Sequence, residues 1–224
     1  MWNKIQRIYI GDHNLVYPKW KPSSSTIAYY PLTATDTVND KSWNWKNLTN
    51  TWVTFGTVWN VSCATFNGSS YLNRSESLFT WSSTFTVNLW YRRTWTYAAH
   101  YNVFAVWTAG WTNSFIIWMT ETDWKMMLWW WTNDRNTWYS LTENTWLNIV
   151  VTHSWWTVKV YGNGSLVYTW TVSYSIQSWY TWVGCWTTNN ACMIWNLSNV
   201  IIENKVRTAQ DVKDYYDGTK SLYS

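Results

Sequence analysis

The chain is a succession of short runs, each suited to a strand and little else. From Ile27 onward, "IAYYPL", "CATF", "SSYLN", "FTVNLWY", "NVFAVW", "SFIIWM", "KMML", "LNIVVTH", "TVKVY", "SLVYT", "YTWVGC" and "IWNLSNVIIE" follow one another with turns between them. Each is rich in β-branched and aromatic residues, which pack well on a pleated, half-buried surface. Strand-like runs at such spacing predict an all-β fold, a two-sheet antiparallel sandwich of jelly-roll type. Only "RTAQDVKDYYDG" reads as a helix. Thr208 can N-cap it, Asp211 falls at the capping-box position, and Gly218 is placed to stop it.

The turns between the runs are anomalous. The sequence holds 25 Trp and only 8 Gly, where average Gly usage of about 7 % would give about 16. "SWNWKN" alternates Trp with Asn and Lys, as a Gly-rich loop would. "TETDWKMML" puts Trp124 after Asp123, where Asp-Gly is the strongest short-range hairpin signal. "HSWWTVKVYGNGSLV" puts Trp155-Trp156 in another strand connection. A turn residue with φ > 0 suits Gly and penalises any side chain with a Cβ. Most of these tryptophans therefore read as glycines. Some bacterial lineages and their viruses read UGA as glycine, and a translation assigning UGA to tryptophan leaves this signature. Trp90 in "FTVNLWYRR" and Trp146 in "TWLNIVVTH" sit in strand-like runs where an aromatic belongs, while Trp182 is open to either reading. The rival is a surface that truly carries the indoles, at the cost of large exposed apolar patches.

The length of 224 residues suits one main domain. Residues 1–26 read as a small β-hairpin ("KIQRIYI", "GDHN", "LVYP") and a Pro/Ser linker, residues 27–218 as the sandwich, and residues 219–224 as a tail. A net charge of +4, with no basic cluster longer than Arg92-Arg93, gives no nucleic-acid footprint. No apolar stretch is long enough to insert in a membrane. The N-terminus shows no signal peptide, so export by another route, an upstream start or cytoplasmic assembly all stay open. Cys185 and Cys192 are close enough to staple a hairpin, but nothing marks an oxidising compartment, and the expectation is three unpaired thiols with Cys63.

With those tryptophans read as glycine, several blocks resemble, in order, the laminin-G-like, concanavalin A-like jelly-roll domains. They are "AYYPL" with the loop "TVNDKSWNWKNLT", then "ATFNGSSYLN", "FTVNLWYRR", "WLNIVVTHSWWTVKVYGNGSLV", and the closing strand and helix "IWNLSNVIIENKVRTAQDVKDYYDG". The resemblance covers residues 27 to 218 and departs at the family's glycine positions. The leader "NKIQRIYIGDHNLVYP" more faintly resembles short leaders of phage tail and virion modules.

The family's hydrolases carry Glu-x-Asp-x-x-Glu on one strand, where alternation pairs the first two carboxylates on one face. Here "ETDWKM" has Glu121 and Asp123, but Met126 stands third. His13, His100 and His153 are scattered, and His153 ends a strand as a structural residue would. The expectation is no enzyme. The function expected is a carbohydrate-binding or adhesive module, extracellular, on a cell surface or a virion. The alternatives are a structural domain that packs against other subunits and, more weakly, a glycoside hydrolase. Aromatic faces and planar polar groups are the vocabulary of sugar recognition. Three loops supply it: Tyr97, His100, Tyr101 and Asn102; Asn133, Asp134, Arg135, Asn136 and Tyr139; and Asn189 and Asn190. Were the tryptophans real, Trp129 to Trp131 would be the stacking platform. The resemblance also implies one calcium site, for which the opening loop offers Asp36, Asn39 and Asp40, against the alternative of a plain Asx-rich turn.

Overall fold

The computed structural model describes residues 20–76, 78–79, 84–94, 101–107, 114–119, 125–129, 135–171, 180–185 and 191–224. The expected leader hairpin lies outside them. In chain order the strands are β1 (Thr26–Tyr30), β2 (Thr49–Thr51), β3 (Thr54–Val58), β4 (Val61–Thr65), β5 (Tyr71–Arg74), β6 (Thr84–Arg92), β7 (Tyr101–Trp107) and β8 (Phe115–Met119). They continue as β9 (Lys125–Trp129), β10 (Arg135–Ser140), β11 (Trp146–Ser154), β12 (Thr157–Gly162), β13 (Ser165–Thr171), β14 (Tyr180–Val183) and β15 (Asn196–Glu203), followed by helix α1 (Ala209–Thr219).

The strands form the expected two-sheet antiparallel jelly-roll sandwich. The first sheet runs β13-β12-β11-β6-β15-β4-β3, and the second β10-β9-β8-β7-β14-β5-β2. Strand β1 joins the first sheet beside β4. Both lie along one edge of β15, β4 at Asn196-Leu197 and β1 at Val200–Glu203. A bulge between Ser198 and Ile201, with Asn199 left-handed, separates the two pairings.

The core lies between the sheets. Phe85, Val87, Leu89 and Tyr91 of β6 meet Ile149 and Val151 of β11, Phe104 and Val106 of β7, and Phe115 and Ile117 of β8, all buried. Fully burying each such side chain contributes roughly 1.5–3 kcal/mol. The alternate residues of β6, Thr86, Asn88, Trp90 and Arg92, point to the other face and are also buried. With both faces covered, β6 and β11 are buried along almost their whole length. The cover is the C-terminal segment. Tyr223 stacks on Trp90 at 3.8 Å with ring planes 4° apart and meets the Trp146 ring edge-on at 5.4 Å. Val212 of α1 packs with Val150 and Tyr161.

The helix begins as the sequence predicts. The Thr208 hydroxyl accepts from the Asp211 N–H at 3.1 Å, and the Asp211 carboxylate accepts from the Thr208 N–H at 2.9 Å. Gly218 does not stop it. The helix runs through Gly218 to Thr219 and passes into a 3₁₀ turn at Lys220–Leu222, so no left-handed cap is needed. A second correction concerns the cysteines. Cys185 and Cys192 are joined by a disulfide, and Cys63 alone is free and buried.

Candidate carbohydrate-binding face

The two outer faces of the sandwich differ. The outer face of the first sheet is partly covered by α1 and Tyr223. On the second sheet, period-2 alternation turns Leu72, Phe104, Val106, Phe115, Ile117 and Val183 into the core. The same alternation sends Tyr71 (β5), Tyr180 and Trp182 (β14), Ala105 (β7), and Ile116 and Trp118 (β8) outward as one cluster. The register aligns them: Trp182 pairs with Ala105 on one side and Asn73 on the other, and Ala105 pairs with Ile116. The Tyr71 and Trp182 rings lie 5.0 Å apart, tilted by 54°. Tyr71, Trp118 and Tyr180 are half-buried and Trp182 is 7 % exposed. Ala105 and Ile116 lie buried beneath the larger side chains. An aromatic row with an amide at its margin, Asn73, can stack on the C–H face of a sugar ring and hydrogen-bond its hydroxyls.

Sequence reasoning looked for this chemistry in loops. The signal that would have found it is the alternation of "YLNR" and "YTWV", which puts each strand's aromatics on one side. Of the loop residues, Tyr97, His100, Asn133, Asp134, Asn189 and Asn190 lie outside the described residues. Tyr101 begins β7. Asn102 is 2 % exposed, its N–H donates to the Ala191 carbonyl at 3.0 Å, and it is structural rather than ligand-facing. Arg135, Asn136 and Tyr139 belong to strand β10, at the edge of the second sheet, and not to a loop. The Arg135 guanidinium lies 4.6 Å from the Trp170 ring centre. Asn136 Oδ1 accepts from the Trp138 N–H at 2.7 Å, which shapes a bulge. The Tyr139 ring lies against Gly162, whose position has no room for a Cβ, and burial raises the pKa of its phenol.

The opening loop uses its carboxylates internally. Asp40 Oδ1 accepts from the N–H groups of Tyr29 at 2.9 Å and Ser42 at 2.8 Å. Its Oδ2 accepts from Ser42 Oγ at 2.8 Å and the Lys46 N–H at 3.0 Å. Four donors are aimed at this one carboxylate, so Asp40 organises the loop. Asp36 pairs with Lys41 at 2.5 Å, and Asn39 is exposed. Among the described residues no group of three His, Cys, Asp or Glu side chains could hold a metal ion. Of the acidic hydrolase pattern, Glu121 and Asp123 lie outside the described residues, and Met126 is wholly buried in the core. His153 is likewise buried, its ring 5.2 Å from that of Phe85.

A cleft of about 510 Å³ opens on the first sheet at the start of α1, lined by Thr152, Ser154, Lys159, Tyr161, Arg207 and Thr208 among others. Arg207 Nε donates to Glu203 Oε2 at 2.5 Å, and both residues are buried.

This architecture, a two-sheet antiparallel β-sandwich, recurs in solved structures. Domain 4 of an extracellular GH43 arabinanase from Geobacillus stearothermophilus, solved with arabinotriose, superposes with a TM-score of 0.70 at 19 % identity, over 85 % of this chain and 97 % of that one. The receptor-binding domain of botulinum neurotoxin type G gives 0.66 at 14 % identity, over 87 % of this chain and 51 % of that one. A botulinum neurotoxin type C structure, described as entering cells through two ganglioside molecules, gives 0.66 at 15 %, over 89 % and 52 %. The chain thus spans about half the length of the toxin domains. No protein-family model matches it, and no curated protein matches it in sequence.

Proposed function

We propose that the protein is a non-catalytic carbohydrate-binding module that holds an oligosaccharide against the outer face of its second sheet. The observation that carries this reading is the Tyr71–Trp182 pair, continued by Tyr180 and Trp118, on the face of the sandwich opposite to α1, where Tyr71, Tyr180 and Trp118 are the partly exposed members. The solved relatives support it: one is bound to arabinotriose and another is described by its interaction with gangliosides. In this reading the module serves adhesion on a cell surface or a virion, and its partners are glycans. A glycan array tests it. Retention of a defined oligosaccharide class, reduced at least tenfold by Tyr71→Ala or Tyr180→Ala without loss of folding, is the expected result. No retention on any glycan would favour a purely structural, subunit-packing role, and turnover of a polysaccharide would favour a hydrolase.

A further inference from the structure

The left-handed residues of this backbone separate the tryptophans into two populations. Among the described residues, twelve other than glycine have positive φ: Leu32, Ala191, Asn60, Asn144, Asn163, Asn199 and six tryptophans. Asn is the side chain that tolerates this region, whereas a bulky aromatic there is an outlier. The six are Trp43 (φ 69°), Trp45 (57°), Trp52 (58°), Trp59 (51°), Trp138 (58°) and Trp155 (39°). All six point into solvent, between 56 and 81 % exposed. No burial of the indole offsets the backbone strain, and the exposed rings add apolar surface.

Each of the six sits where the chain geometry calls for glycine. Trp59 and Asn60 are the two central residues of the β3–β4 hairpin, closed by the Val58–Val61 pair, with both φ positive as a type I′ turn requires. Trp155 opens the two-residue β11–β12 loop between Ser154 and Thr157, the position at which a II′ turn takes glycine. Trp138 lies in the β10 bulge, and bulges admit glycine in the same conformation. Trp52 links β2 to β3, next to Val53, whose N–H donates to Asn50 Oδ1 at 2.8 Å. Trp43 and Trp45 flank Asn44 in the turn wound on Asp40, where Asn44 Nδ2 reaches the Thr26 carbonyl at 2.8 Å.

Trp90 and Trp146 behave in the opposite way. Both lie in strands, are no more than 4 % exposed, and enclose the Tyr223 ring. We infer that the polypeptide made in its native host carries glycine at positions 43, 45, 52, 59, 138 and 155 and tryptophan at 90 and 146. The inference goes beyond the sugar-binding reading; it makes no assignment at Trp118 and Trp182, on which that reading draws. It also removes the exposed indoles as a stacking platform.

Codon-by-codon sequencing of the gene, with tandem mass spectrometry of peptides from natively produced protein, tests it. The expected result is UGA at the six positions and UGG at 90 and 146, with peptides reading glycine at the six. UGG at the six overturns it, and so do UGA codons whose peptides read tryptophan. Glycine at 90 or 146 overturns the division into two populations.

Discussion

Three two-residue hairpins in the first sheet solve one geometric problem with different residues. Asn163-Gly164 joins β12 to β13 with φ of 49° and 78°. Trp59-Asn60 joins β3 to β4 with 51° and 64°, and Trp155-Trp156 joins β11 to β12 with Trp155 at 39°. Right-twisted strands joined by two residues need left-handed backbone at the turn, whatever side chain is present. The backbone is therefore dictated by the flanking registers, and the side chain either suits it or strains it. Asn-Gly suits it. The tryptophans strain it, and only the contact of the Trp59 ring with the Arg92 guanidinium offsets part of the cost.

The comparison is sharpened most by a tryptophan of the other population. Trp90→Gly removes a buried ring from the Tyr223 stack and is expected to cost about 3–5 kcal/mol, read as a fall in urea midpoint. Next is the turn that already has glycine. Gly164→Ala puts a Cβ into a residue at φ 78°, with Tyr216 Cδ1 2.9 Å away, and is expected to destabilise by about 1–3 kcal/mol. A neutral result would break the claim that these turns demand glycine.

Trp155→Gly runs the other way. Relief of left-handed strain, about 1–3 kcal/mol, exceeds the roughly 0.4–1 kcal/mol that glycine's extra unfolded freedom costs, so a net gain near 1 kcal/mol is expected by chemical denaturation. Trp59 is less clean, since its ring lies 4.0 Å over the Arg92 guanidinium and that contact is lost with it.

The strand-and-turn pattern in the sequence was enough for the sandwich, since β-branched runs such as "LNIVVTH" and "TVKVY" have no other stable arrangement at that spacing. The capping box at Thr208 and Asp211 was legible because it is local. The aromatic cluster on the second sheet was not, because Tyr71 and Trp182 lie far apart in sequence and meet only through the β5–β14 register. Arg135, Asn136 and Tyr139 were misplaced into a loop because a bulged edge strand is rich in polar residues and carries a turn-like Trp138. The Cys185–Cys192 bridge depends on the chain's return beside β7, where Asn102 bridges to Cys192.

The smallest expected effects are at the helix. Thr208→Ala removes the N-cap and is expected to cost about 1 kcal/mol by thermal unfolding. The Thr208 backbone N–H holds the Asp211 carboxyl below the usual carboxylate range. A carboxyl depressed in the folded state stabilises at pH above its unfolded value, about 3.9, and that contribution is lost as pH falls through the folded value. The stability difference between the protein and Asp211→Asn should thus be constant at neutral pH and close below about pH 4.

The most direct measurement is the thermal unfolding of the chain with all six left-handed tryptophans, at 43, 45, 52, 59, 138 and 155, replaced by glycine, against the chain as translated. A higher melting temperature with less self-association is the predicted result, because strain and exposed apolar surface leave together. A lower melting temperature in the six-glycine chain would contradict the account and make the exposed indoles part of the native structure.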